Sequence, residues 1–176
     1  VYSPLKVKAI VVGVTFVATC VIPIICIFVL SRIGAISDAT LNARKDRGVP
    51  YVVAALCYLG VAVYYHFVNA PVWLSMFVAG GGVALLVMAL INRKWKISAH
   101  GCGTGGLCGL VFYLMISGDS VDSIQWVFML SVLVAGCVGT SRLILRRHTP
   151  WQVAAGFALG FVAVFCPAWV CTMFNI

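Results

Sequence analysis

Long uncharged runs alternate with short charged ones along this chain. A helix that crosses a bilayer needs roughly 20 consecutive apolar residues. The run from Ala9 to Ser31 holds no charge and predicts a first span over about 8–30, kinked at Pro23. A basic segment, Ser31 to Gly48, follows it. Between Val49 and Asn92 the only titratable side chain near neutrality is His66, and the stretch has room for two spans. Asn69 and Pro71 break the pattern, so these spans fall at about 49–66 and 72–91. Arg93-Lys94-Trp95-Lys96 interrupts the apolar run again. A fourth span, about 98–116, carries Gly101, Gly103, Gly105, Gly106 and Gly109, a spacing that lets helix backbones approach closely in lipid. The polar turn Ser117 to Ser123 precedes a fifth span at about 124–145. The sixth covers about 150–174, with Gly156 and Gly160 on one face. The pattern predicts an all-α integral membrane bundle of six transmembrane helices, a single transmembrane domain over 1–176.

Composition supports the bilayer as solvent. Apolar residues make up 63% of the 176 and charged residues only 9%, against about 25% in soluble domains. The first run is too long for a signal-peptide core and shows no small-residue cleavage site, so it is expected to stay as a span. Eight cysteines lie within the apolar runs, and no Cys-x-x-Cys pair occurs. They read as packing residues rather than as a zinc site or a disulfide framework.

Six crossings put the segments after spans one, three and five on the same face. That face collects Arg32, Arg44, Lys45, Arg47, Arg93, Lys94, Lys96, Arg142, Arg146 and Arg147, opposed only by Asp38 and Asp46. On the other face Lys6 and Lys8 cancel Asp119 and Asp122, so the whole net charge of +8 belongs to one membrane surface. Two physical readings are compatible: the positive-inside rule, which makes this face cytoplasmic, and an electropositive pocket for phosphate. The excess survives removal of the candidate binding residues, which favours a cytoplasmic face; the membrane itself is expected to be a bacterial inner membrane.

His100 and His148 fall on the cationic face, each at the start of a span. A neutral imidazole can attack phosphorus, arginine and lysine can spread over the equatorial oxygens, and a second imidazole can protonate the leaving alkoxide. Helix N-termini at spans four and six add N–H donors. With only Asp38 and Asp46 nearby, a two-metal site is not expected; neither is a cofactor or a nucleic-acid partner.

Ser141-Arg142, five residues, then His148 resembles the third motif of the type 2 phosphatidic acid phosphatase superfamily, Ser-Arg-x5-His-x3-Asp. Ser98-Ala99-His100 is similar to its second motif, Pro-Ser-Gly-His. Arg44-Lys45-Asp46-Arg47-Gly48-Val49-Pro50 stands where its first, Lys-x6-Arg-Pro, is expected. The resemblance implies a membrane-embedded phosphatase that works through a phosphohistidine. It makes His148 the nucleophile and His100 the general acid, with Arg142 and Ser98 on phosphate oxygens. Lys45 and Arg47 match the first motif's basic pair, at the wrong spacing, and Lys94 and Lys96 could add charge there. Short loops leave no soluble domain for a large polar substrate. That favours a lipid phosphate or prenyl pyrophosphate whose tail lies between spans.

The departures are specific. Ile97 replaces the second motif's proline, Ala99 its glycine, and Gln152 the third motif's aspartate. Gln152 admits two readings: an acceptor that fixes the His148 tautomer without charge, or the far end of a capping box in Thr149-Pro150-Trp151-Gln152. Ser98 could equally be an N-cap, and Arg146 and Arg147 interfacial anchors. Other functions stay open: a catalytically degenerate binder of anionic lipid, a phosphotransferase, or, less consistent with polar residues gathered at one face, a small transporter.

Overall fold

The structure, a computed structural model, describes residues 5–37, 40–41, 43–117 and 123–173. Asp38 and the centre of the polar turn, with Asp119 and Asp122, lie outside the described residues. All regular structure among the described residues is helical, and six helical segments are long and apolar enough to cross a membrane. The first span is a continuous 28-residue rod built from α1 (Leu5–Phe16), a π-helical turn (Val17–Val21) and α2 (Ile22–Arg32). Pro23 in the first turn of α2 has no N–H to give and a ring that crowds the preceding turn. The wider π turn just before it is where the rod absorbs that misfit.

A short 3-10 helix, Arg44–Arg47, leads into α3 (Gly48–Phe67). Then come α4 (Val72–Ile91), α5 (Ala99–Ile116), α6 (Ile124–Ile144) and α7 (Pro150–Met173). Each lies within a few residues of the span read from the apolar runs. The most extensive packing is between α5 and α7; α7 also supports α4, which pairs with α3. The first span buries no residue and leans on α3, where Thr15 and Tyr65 join their hydroxyls. Lipid tails are as apolar as leucine, so close backbone contact rather than apolar burial holds such helices together.

Glycine supplies that contact. A Cβ at Gly101 would sit 2.8 Å from the Val153 carbonyl oxygen, and one at Gly109 2.7 Å from that of Phe161. Gly105 meets the Phe157 backbone between them. From α7, Gly156 and Gly160 press on the Ser98 and Cys102 carbonyls in return. The two helices therefore fit along a seam with a rung at each turn. Gly103, on another face of α5, has open space where a Cβ would go. Phe112 of α5 carries α6 through Phe128 (ring centroids 5.6 Å apart) and meets Phe161 and Phe165 of α7 at 5.9 and 5.4 Å.

Candidate active site at the cationic face

The three connections expected on one face are tied to one another. Arg44 Nη1 donates to the Lys94 carbonyl (2.6 Å), and Asn92 Nδ2 donates to the Arg44 carbonyl (2.8 Å). Arg47 is buried, with Nε on the Leu41 carbonyl (2.7 Å) and Nη1 toward that of Ile97 (3.4 Å). The Ser98 N–H donates to the Gln152 carbonyl (3.1 Å), joining the start of α5 to the start of α7. Asp46 accepts from both the backbone N–H (3.0 Å) and the hydroxyl of Ser37, which fixes the loop before α3.

The spacing Arg142-x5-His148 has a conformational cause. At the end of α6 the Arg147 N–H reaches the Arg142 carbonyl (3.0 Å) and the Arg146 N–H that of Leu143 (2.9 Å). Arg146 takes φ +50. This is a Schellman turn with a left-handed residue, here one without glycine's freedom. It reverses the chain so that Arg147 and His148 return beside Arg142. Thr149 and Gln152 then form a reciprocal capping box at the start of α7. The Gln152 N–H points at Thr149 Oγ1 (3.4 Å), and Gln152 Oε1 accepts the Thr149 N–H (3.2 Å).

The same Gln152 oxygen lies 3.1 Å from His148 Nδ1. A backbone N–H can only donate, so the Thr149 contact identifies this amide atom as oxygen. An amide oxygen can only accept, so Nδ1 carries the ring proton and Nε2 keeps its lone pair. The two readings of Gln152 therefore coexist in one side chain. Burial pushes the His148 imidazole below its ordinary value. The Gln152 contact opposes this, while the charges of Arg47 and Lys96 add to it and a backbone contact with Lys96 partly offsets them. The net shift favours the neutral ring.

His148 and His100 line one cavity of about 280 Å³, with Arg47, Arg142 and Arg147, and Tyr51 and Ala99 in its wall. No acidic residue lines it among the described residues. His100 stands in the first turn of α5, on the rung next to Gly101, so the glycine seam sets its position relative to α7. Lys96 borders the site: burial lowers its ammonium, and the charges of Arg47 and Arg147 lower it further.

Other expected contacts are placed elsewhere. Ser98 has no exposed surface, and its Oγ accepts the Gly101 N–H (3.1 Å) as the N-cap of α5, so it does not line the cavity. Lys45 opens onto a separate hollow with Arg44, Asn92 and Arg93, and Lys94 is an exposed side chain outside both. Arg147, read as an interfacial anchor, also lines the cavity. Tyr51 was not singled out, and only three-dimensional proximity reveals it; Ala99, in the glycine position of the second motif, lines the cavity beside it. Ile97, in the proline position of the second motif, is a buried core residue.

No family model, curated protein or solved structure matches the chain. A functional reading therefore stands on the residues of the cavity and on the motif resemblance alone.

Proposed function

We propose that this chain is a membrane-embedded phosphatase that hydrolyses a lipid phosphate or prenyl pyrophosphate through a phosphohistidine at His148. The observation that carries the reading is the Gln152 oxygen shared by Thr149 N–H and His148 Nδ1, which leaves Nε2 as a nucleophile. In this mechanism Nε2 attacks phosphorus as the ester P–O bond breaks. His100, whose protonated form is disfavoured by burial and by the charges of Arg142 and Arg47, gives its proton to the departing alkoxide from the protonated fraction. Water, with its proton taken by His100, then attacks the phosphohistidine, releases phosphate and restores His148. Arg47, Arg142 and Arg147 hold the equatorial oxygens through both steps.

The amide at Gln152 is less damaging than an acid-to-amide change in a serine-protease triad, which costs about 10⁴ in rate because it enforces the wrong tautomer. Here Thr149 holds the amide oxygen, not the nitrogen, toward the ring. What is missing is only the negative charge that would stabilise the phosphohistidine cation. That loss supports a second reading, an anionic-lipid binder that no longer turns over; a phosphotransferase that passes the group to another alcohol is a third. We place the site at the cytoplasmic face, from the cationic excess on that side. Phosphate release from short-chain phosphatidic acid by purified protein tests the reading. It requires release by the wild type and loss in His148→Ala with membrane insertion intact; no release from any lipid phosphate favours the binder. Transfer to an added alcohol identifies the phosphotransferase.

A further inference from the structure

Both α4 and α5 pack on α7, yet they scarcely touch each other. Between them lies a second cavity, of about 290 Å³, and it is almost wholly apolar. Its walls include Leu85 and Met88 from α4 and Gly103 and Leu107 from α5, with Gly160 and Val164 of α7 as its floor. Ala99 lines this groove and the cationic cavity alike. Tyr51, in the wall of the cationic cavity, packs in one cluster with Met88 and Cys102, which line the groove. The groove thus begins where the cationic cavity ends.

Its length matches a lipid leaflet. Lining residues run from Ala99 to Leu107 on α5 and from Met88 back to Phe77 on α4. At the rise of an α-helix those stretches are roughly 12 and 16 Å, close to half of a hydrocarbon core about 30 Å thick. The glycine faces keep it open: nothing lies within 4 Å of a Cβ built at Gly103, an exposed position beside Leu107, which is 42% exposed. An apolar slot joined at its headgroup end to an arginine cluster fits an amphiphile, with the anion in one cavity and a hydrocarbon tail in the other.

We infer that the α4–α5 groove is the tail subsite, and that a long-chain phosphate ester enters it sideways from the bilayer past Gly103. This assignment rests on the reading of the cationic cavity as a phosphate site. One tail fits in the groove; a second chain of a diacyl lipid stays in the bilayer. Binding energy from the tail then positions the phosphorus at His148 Nε2, so removing the tail lowers kcat as well as affinity.

Gly103→Phe, whose Cβ has nothing within 4 Å, is placed to fill the slot, and Leu107→Trp to block it deeper; Gly60→Phe, at an exposed position of α3 outside the groove and equally free of neighbours, is the matched control. Two readouts are taken in detergent. One is turnover of long-chain phosphatidic acid against p-nitrophenyl phosphate. The other is calorimetric binding of a long-chain alkylphosphonate against inorganic phosphate, which needs no catalysis. The blocking variants are expected to lose about tenfold or more in kcat/KM and affinity for the long-chain ligands only. Equal loss for tailed and tailless ligands, or no loss for either, overturns the groove. Absence of turnover in the wild type, with the alkylphosphonate still displaced by Gly103→Phe, instead defeats the phosphatase reading and leaves the groove standing.

Discussion

Replacing Gly101 with alanine should separate the two histidines without touching either. The new methyl carbon would lie 2.8 Å from the Val153 carbonyl oxygen and 3.3 Å from the Phe157 nitrogen. Ordinary carbon contacts begin near 3.5 Å, so α5 and α7 must part by about 0.5 Å or more at this rung. Both obstacles are backbone atoms and cannot swing away. Overpacking of this kind costs about 1–3 kcal/mol, and alanine returns about 1 kcal/mol of helix propensity, leaving a net loss of up to about 2 kcal/mol. The catalytic effect should be larger than the effect on stability. A site tolerates roughly 0.5 Å of error, and a shift of about 1 Å can cost about 10²-fold in rate. Gly103→Ala is the control, on the same helix with the same propensity gain but facing open space. Thermal unfolding in detergent and phosphate release from short-chain phosphatidic acid should give Gly103→Ala at or above wild-type stability with normal rate. Gly101→Ala should fall by one to two orders of magnitude in rate while remaining folded. Equal rates in the two variants would refute the claim that the glycine seam sets the histidine geometry.

The remaining expectations follow from the other contacts. The acid limb of kcat/KM should have its midpoint below the ordinary histidine value of about 6.5, because burial and nearby cations favour the neutral His148 ring; activity is lost as pH falls through that midpoint. Gln152→Glu keeps the acceptor for Thr149 N–H and adds a charge beside the imidazole, so the same limb should move to higher pH; an unchanged limb contradicts the His148–Gln152 pairing. Ser98→Ala should lower stability by about 1 kcal/mol through the lost N-cap, with KM for the phosphate substrate unchanged. Arg147→Ala should weaken inorganic phosphate binding, whereas Lys45→Ala should leave it near the wild-type value; the reverse order, read by calorimetry, would contradict the placement of the two side chains.

The legible part of the chain is the part governed by simple solvation. Runs such as Val72–Ile91 have to be helical in a bilayer, because every backbone polar group must be satisfied within the segment. The glycines of α5 were visible as a spacing, but their division was not. Gly101, Gly105 and Gly109 meet α7, while Gly103 faces the groove, and only the docking of the two helices separates these roles. At the site, Arg142, His100, His148 and Gln152 were marked by motif and position. Ser98 and Lys45 carried the same marks and ended elsewhere, Ser98 because capping α5 consumed its hydroxyl. Arg147 was indistinguishable from its neighbour Arg146 until the left-handed turn at Arg146 brought its exposed side chain to the cavity. Chain reversal of that kind depends on a single backbone angle, and apolar periodicity carries no trace of it.

The covalent step is the most direct test of the account. Purified protein is mixed with phosphatidic acid labelled at phosphorus, quenched during turnover, and the modified residue mapped by mass spectrometry. The account predicts an acid-labile, base-stable phosphoryl adduct on His148, absent from His148→Ala. An adduct on another residue, or phosphate released by His148→Ala at the wild-type rate, would contradict it.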